Sequence, residues 1–194
     1  MKKLKLFLVI VITFAMITVI TSAEKKPEYI FDYIGKYSEG RAVIGIWGGQ
    51  WTYGYIDNAA KIVIESKYRD ARGFSSGAAS VGVSDSGKPI KYGFINKDGS
   101  YLIEPKFDET GDFHKIPGTN TEVAMIGTGE TKAGRKYGFV LKDGSYLVSP
   151  QFDGVTNYWS AGSCGYNIVY NEKNGKKLYG LLDSSGKLII DTKY

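Results

Sequence analysis

Cysteine and histidine are almost missing from this chain, with Cys164 and His114 the only examples of each. One cysteine excludes an intramolecular disulfide, and Cys164 reads as a small buried hydrophobe rather than a reactive thiol. One histidine excludes metal centres built on several imidazoles. Any Ser-His-Asp arrangement would rest on His114 alone, and no base, nucleophile and orienting group can be read around it. Long apolar runs are also missing. The only one, Leu6 to Ile20, has 15 residues, against the roughly 20 that a membrane-spanning helix needs.

That run has the flanks of an export signal. Lys2, Lys3 and Lys5 precede it and Thr21-Ser22-Ala23 follows, with small residues where a signal peptidase reads. Residues 1–23 are therefore expected to be a signal peptide cleaved after Ala23, and 24–30 a short linker. The rival reading is an uncleaved N-terminal membrane anchor. No cysteine lies nearby to carry a lipid. Cleavage would leave 171 residues and lower the formal charge from +5 to +2, because three lysines leave with the signal. Scattered lysines on a nearly neutral chain give no basic patch, so nucleic acid is not an expected partner. A chain of this length can bury about 70 % of its unfolded surface, enough for one domain without disulfides.

What is present is a repeat. An aromatic followed by glycine occurs at Tyr53-Gly54, Tyr92-Gly93, Tyr137-Gly138 and Tyr179-Gly180, and 14 residues after each glycine stands another aromatic: Tyr68, Phe107, Phe152 and Tyr194. Six residues after each glycine the last three copies have Gly99, Gly144 and Gly186 in Asp-Gly or Ser-Gly turns, whereas the first has Ala60. Such turns supply the positive φ of tight hairpins. The first turn is expected to be of another type or strained. Strands are expected before and after each turn, and a third before each glycine at 41–46, 78–83, 122–126 and 166–170. Each unit reads as a three-stranded antiparallel meander, and the chain as one all-β domain over 31–194 with units at about 31–68, 69–107, 108–152 and 153–194. Whether the units close into a propeller-like ring or form an open curved array is left undecided. Length varies only between one unit's last aromatic and the next glycine, around 115–120 and 127–134, where a functional surface is expected.

The string from Tyr92 to Asp108, YGFINKDGSYLIEPKFD, resembles the WG repeat family, also called KWG repeats. Tyrosine replaces the eponymous tryptophan in all four copies. A tyrosine keeps the flat ring and adds a hydroxyl that needs a partner. The resemblance implies a bacterial, often exported interaction scaffold, with no catalytic residues to carry over.

Chemistry-bearing candidates are few. Asp32, Asp108 and Asp153 follow the fixed aromatics one per unit, which suits turn capping better than a convergent pair of glycosidase carboxylates. Asn96-Lys97-Asp98-Gly99 and Asp183-Ser184-Ser185-Gly186 lack the remaining ligands of a calcium loop. The glycine-rich stretch at Trp47-Gly48-Gly49-Gln50-Trp51 lacks the lysine of a phosphate loop. No metal or cofactor is expected. Fixed aromatics read as core. Trp47, Trp51 and Trp159, which stand outside the repeat, together with Tyr158 beside Trp159, read as candidate binding residues. The reading is a non-enzymatic exported or cell-envelope binding module with a protein partner. The alternatives are a carbohydrate or peptidoglycan binder using the tryptophans, and an enzyme drawing on His114, Asp112 and Glu130.

Overall fold

The fold is described from a computed structural model for residues 31–85, 87–129, 131, 134–157 and 165–193. Tyr158, Trp159, Cys164, Glu130 and Tyr194 lie outside the described residues. No helix among the described residues is long and apolar enough to cross a membrane.

Among the described residues, alternating apolar residues and glycine turns produce seventeen strands and no helix. The first sheet is β1 (Tyr33–Ile34), β2 (Arg41–Trp47), β3 (Trp51–Asp57) and β4 (Ile62–Tyr68). The second is β5 (Asp70–Ala71), β6 (Ala79–Val83), β7 (Lys91–Ile95) and β8 (Tyr101–Phe107). The third comprises β9 (Glu109–Thr110), β10 (His114–Lys115), β11 (Glu122–Thr128), β12 (Lys136–Leu141) and β13 (Tyr146–Phe152), with β9 and β10 both paired to β11. The fourth is β14 (Gly154–Asn157), β15 (Asn167–Lys173), β16 (Lys176–Leu182) and β17 (Leu188–Ile190). All pairings are antiparallel between sequence neighbours, apart from β9 with β11, and no sheet closes into a barrel.

The meander thus has a fourth member that hydrophobic alternation does not reveal. It is a strand of two to four residues after each fixed aromatic, in most copies too short to show a period. The backbone N–H of Asp32, Arg69, Asp108 and Asp153 donates to the carbonyl of Gly45, Gly82, Gly127 and Tyr170 respectively, at 2.8–3.0 Å, docking this strand in each copy.

Register explains the fixed interval. Tyr53 lies opposite Tyr68, Tyr92 opposite Phe107 and Tyr137 opposite Phe152, each followed by a bulge across the repeat glycine. Crossing that bulge brings the two strands together. A Cβ on Gly93 would collide with the Ile103 carbonyl and lie 2.7 Å from the Pro105 nitrogen; Gly54 and Gly138 meet the same backbone obstacle, and Gly180 would meet the Ile190 carbonyl at 2.8 Å. Pro105 and Pro150 fall on the edge strands β8 and β13, where no ladder donor is needed.

Gly99, Gly144 and Gly186 have φ of 86°, 84° and 81°, and Ala60 has φ of 60°. The first turn therefore keeps the left-handed geometry of the others, with a methyl that glycine would not carry, which is strain rather than a change of type.

The core lies between successive sheets. Val43, Tyr55, Ile64 and Tyr68 of the first sheet pack with Phe74, Ala79, Val81 and Ile95. Phe94, Ile103 and Phe107 pack with Phe113, Ala124, Ile126 and Val140. Met125, Phe139, Val148 and Phe152 pack with Val169 and Leu182. The fixed aromatics Tyr68, Phe107 and Phe152 are all buried. Each interior sheet uses both faces, one for each neighbour, as a stacked repeat array requires.

Candidate functional site

A β2–β3 hairpin puts Trp47 and Trp51 directly opposite one another. Their ring centroids are 5.4 Å apart, and Trp51 stacks on Tyr53 at 5.9 Å with 14° between planes. Tyr33 of β1 meets Tyr53 edge-on at 6.5 Å. The four rings form one continuous row. Trp47, at its end, is 54 % exposed, and its backbone N–H donates to Asp32 Oδ2 at 2.7 Å, which fixes the hairpin tip. The structure thus brings Trp47 and Trp51 together and adds Tyr33 and Tyr53, which repeat reasoning had assigned no binding role.

Beside this row runs a groove of about 470 Å3 between the first and second sheets. Tyr33, Tyr37, Arg72 and Asp112 are among its walls. Arg72 Nη1 lies 3.8 Å from Asp112 Oδ1, both side chains about half exposed. Tyr37 is also exposed and donates to the Asp57 carbonyl at 3.0 Å. The aromatic surface therefore sits at the junction of sheets one and two and not on either variable segment. The 115–120 segment closes on itself instead: the Ile116 N–H donates to the Thr121 carbonyl at 2.8 Å, Thr119 caps Ile116, and the Ile116 side chain is buried.

Two of the four tyrosines standing at the tryptophan position, Tyr92 and Tyr137, find acidic partners. Tyr92 donates to Asp70 Oδ2 at 3.1 Å and Tyr137 to Glu109 Oε2 at 3.0 Å. Burial first, and the adjacent carboxylate second, push both phenols above the usual tyrosine range. Arg135 Nη1 sits 2.6 Å from the same Glu109 oxygen.

The repeated aspartates act singly. Asp108 binds Lys91 at 2.5 Å and accepts the Gly129 N–H at 2.8 Å; Asp153 binds Lys136 at 2.5 Å and accepts the Glu172 N–H at 2.7 Å. Each one clasps the start of its sheet to the far end of the sheet's long strand. The Lys136 hydrogen bond and then the Glu172 N–H hold the Asp153 carboxyl below the usual aspartate range. At Asp108 burial opposes ionisation, and Lys91 with the Gly129 N–H outweighs it.

A carboxyl whose folded pKa is depressed adds stability above its unfolded value, near 3.9, and loses it as pH falls through the folded value. The urea midpoint of the wild type is therefore expected to drop more steeply between about pH 5 and pH 2 than that of Asp153→Asn. Parallel curves would show that the clasp does not couple to folding.

His114, the residue on which an enzyme reading would depend, follows the buried aromatic Phe113 just as Ser38 and Ser75 follow Tyr37 and Phe74. The Ser38 hydroxyl donates to the Phe74 carbonyl at 2.6 Å and the Ser75 hydroxyl to the Phe113 carbonyl at 2.7 Å, linking each unit to the next. His114 thus stands at the position equivalent to these two serines. Its Nδ1 lies 3.2 Å from the Asp112 carbonyl, while the Asp112 carboxylate faces Arg72 instead. Among the described residues no group of three metal-binding side chains converges. The Ser38 and Ser75 links were missed in the sequence, although both serines follow the repeated aromatic directly.

Comparison with solved structures gives the fold alone. The crystal structure of a eukaryotic initiation factor superposes with a TM-score of 0.51 at 10 % identity, over 83 % of this chain and 42 % of that one. This chain thus spans less than half of its length. None of the curated proteins compared matches the sequence. At the family level, residues 53–85 and 92–115 match the WG containing repeat. These residues run from β3 through β10, and the later sheets follow the same strand order and register. Residues 53–85 and 92–115 thus carry the WG containing repeat, within an all-β array of four antiparallel meanders that share one strand order.

Proposed function

We propose that the protein is an exported, non-enzymatic binding module whose partner is a protein, seated on the aromatic row ending at Trp47 and the adjoining groove. The observation carrying this reading is the exposure of Trp47 at the end of the Trp51–Tyr53–Tyr33 row, with Arg72 and Tyr37 alongside. Tryptophan, tyrosine and arginine are the residues that dominate binding energy at protein interfaces, particularly where held rigid. A row of rings already stacked on one another loses little side-chain entropy on binding. The export signal expected at residues 1–23 would deliver the module to the cell envelope or beyond. A second reading, a glycan ligand, draws on the open face of Trp47. It is weaker because Tyr53 occupies one face of Trp51, leaving one free platform where sugar binding gains from several.

The test is retention of the protein on isolated cell envelopes, with and without prior protease treatment of the envelopes. Protease is expected to abolish retention, and Trp47→Ala to weaken it at least tenfold, the size of a hot-spot loss. Retention that survives protease and still needs Trp47 would replace the protein partner with a glycan. Retention indifferent to Trp47→Ala would remove the site.

A further inference from the structure

The groove beside the aromatic row carries charge that the row does not use, and that charge specifies chemistry in the partner. Among the described residues its charged lining consists of Lys36, Arg72 and Asp112. Two cations face one carboxylate, so the lining holds an excess of one positive charge. Asp112 does not quench Arg72. The guanidinium reaches it through a single nitrogen at 3.8 Å, beyond hydrogen-bond distance, and the two side chains are 45 % and 52 % exposed. An ion pair that long and that open holds its partners weakly. The fork of guanidinium donors is therefore left to an incoming group.

The backbone that carries these charges is fixed. The Arg72 N–H donates to the Ser80 carbonyl at 3.0 Å, and the Arg72 carbonyl accepts the hydroxyl of buried Tyr55, from the first sheet, at 2.8 Å. Across the same junction the Ser38 hydroxyl donates to the Phe74 carbonyl. Lys36 stands between two anchored neighbours: the Gly35 N–H donates to the Val43 carbonyl at 2.8 Å, and the Tyr37 hydroxyl to the Asp57 carbonyl. Lys36 follows β1 in the first sheet and Arg72 follows β5 in the second, so hydrogen bonds between the sheets set the spacing of their backbones. A site built before its ligand arrives loses little on binding.

A guanidinium matches a carboxylate through two parallel hydrogen bonds, and a lysine adds a point charge. One carboxylate brings the lining to neutrality. A phosphate monoester, with close to two negative charges, would overfill it and face Asp112. We infer that the groove binds a carboxylate of the partner protein between Lys36 and Arg72, on an acidic segment whose neighbouring residues lie on the exposed rings of Tyr33 and Tyr37. The carboxylate belongs to an acidic side chain or to a chain terminus. This inference rests on the reading of the aromatic row and groove as a protein-binding site.

The test titrates the full chain, nitrogen-labelled and purified as expression yields it, with three peptides at physiological salt while amide shifts are followed. The peptides are acetyl-Gly-Tyr-Glu-Gly-amide, its counterpart with Gln for Glu, and acetyl-Gly-Tyr-Gly with a free terminal carboxylate. Saturable shifts are expected at the amides of Lys36, Arg72 and Gly73 with one or both carboxylate peptides, and at least tenfold weaker binding of the glutamine peptide. The tighter of the two carboxylate peptides identifies the source. Arg72→Gln keeps the backbone hydrogen bonds, so it should remove the preference and leave the rest of the spectrum in place. Arg72→Lys should restore only part of the preference. Equal binding of the glutamate and glutamine peptides, shifts confined to other surfaces, no binding, a preference that survives Arg72→Gln, or tighter binding of the phosphoserine counterpart would each overturn the inference. Envelope retention that needs Trp47 but not Arg72 would also overturn it, while leaving the aromatic row as the protein-binding site. Carboxylate binding in the groove with retention indifferent to Trp47→Ala would instead remove the row and keep the carboxylate site.

Discussion

Gly93→Ala is expected to lower the stability of the protein by about 3 kcal/mol, at the upper end of what overpacking costs. The methyl has nowhere to go. It would collide with the Ile103 carbonyl and sit 2.7 Å from the Pro105 nitrogen, both backbone atoms of the neighbouring strand. A side chain could rotate away, but a paired strand can only separate, and separation would break the Tyr92–Phe107 and Phe94–Ile103 pairings on either side of the bulge. The control is Gly144→Ala: φ is 84° there, but a Cβ at that turn meets nothing within 4 Å. Its cost is the left-handed conformation alone, about 1 kcal/mol. Urea titration of both variants checks the ranking. Equal losses would mean that backbone strain, and not the close approach of strands, accounts for the repeat glycine.

The second large effect is expected at Phe94→Ala, about 3–5 kcal/mol, the range for removing a buried phenylalanine. Phe94 is fully buried between the second and third sheets, its ring edge-on to Phe113 at 4.7 Å. That cluster is the junction of the two halves of the array. In a stacked repeat protein each unit is held by its neighbours, so weakening one junction uncouples what lies on either side. The variant should therefore unfold in urea over a broader range or in two steps, with a lower apparent m-value than wild type. Tyr101→Ala, at an exposed position on β8, should leave a single transition within about 0.5 kcal/mol of wild type. A single sharp transition for Phe94→Ala, merely shifted, would show that the four sheets fold as one indivisible unit.

The sequence by itself determined the repeat, its turns and its buried aromatics, because these depend on spacing along one strand pair. Glycine suits both a close approach of two strands and a positive φ, and the first need recurs at the same offset in all four copies, the second as glycine in the last three, with Ala60 in the first. Gly54, Gly93, Gly138 and Gly180 record the first, and Gly99, Gly144 and Gly186 the second. The tertiary structure alone decided what crosses between strands and sheets. The short strand after each fixed aromatic has no period to read, and its pairing with the long strand spans ten residues or more. One exchange shows this well. Gly45, Gly82 and Gly127 face Tyr33, Asp70 and Glu109, whereas in the fourth copy Tyr170 faces Gly154, the large and small partners having traded strands. Along the chain this looks like a broken repeat; across the sheet the volume is conserved. The same holds for the candidate site. Trp47 and Trp51 were legible as residues outside the repeat, but their union with Tyr53 and Tyr33 required the β2–β3 hairpin and the β1 pairing. The groove with Arg72 and Asp112 required two sheets to meet, because a surface assembled from separate units leaves no spacing in the sequence that a local pattern could register.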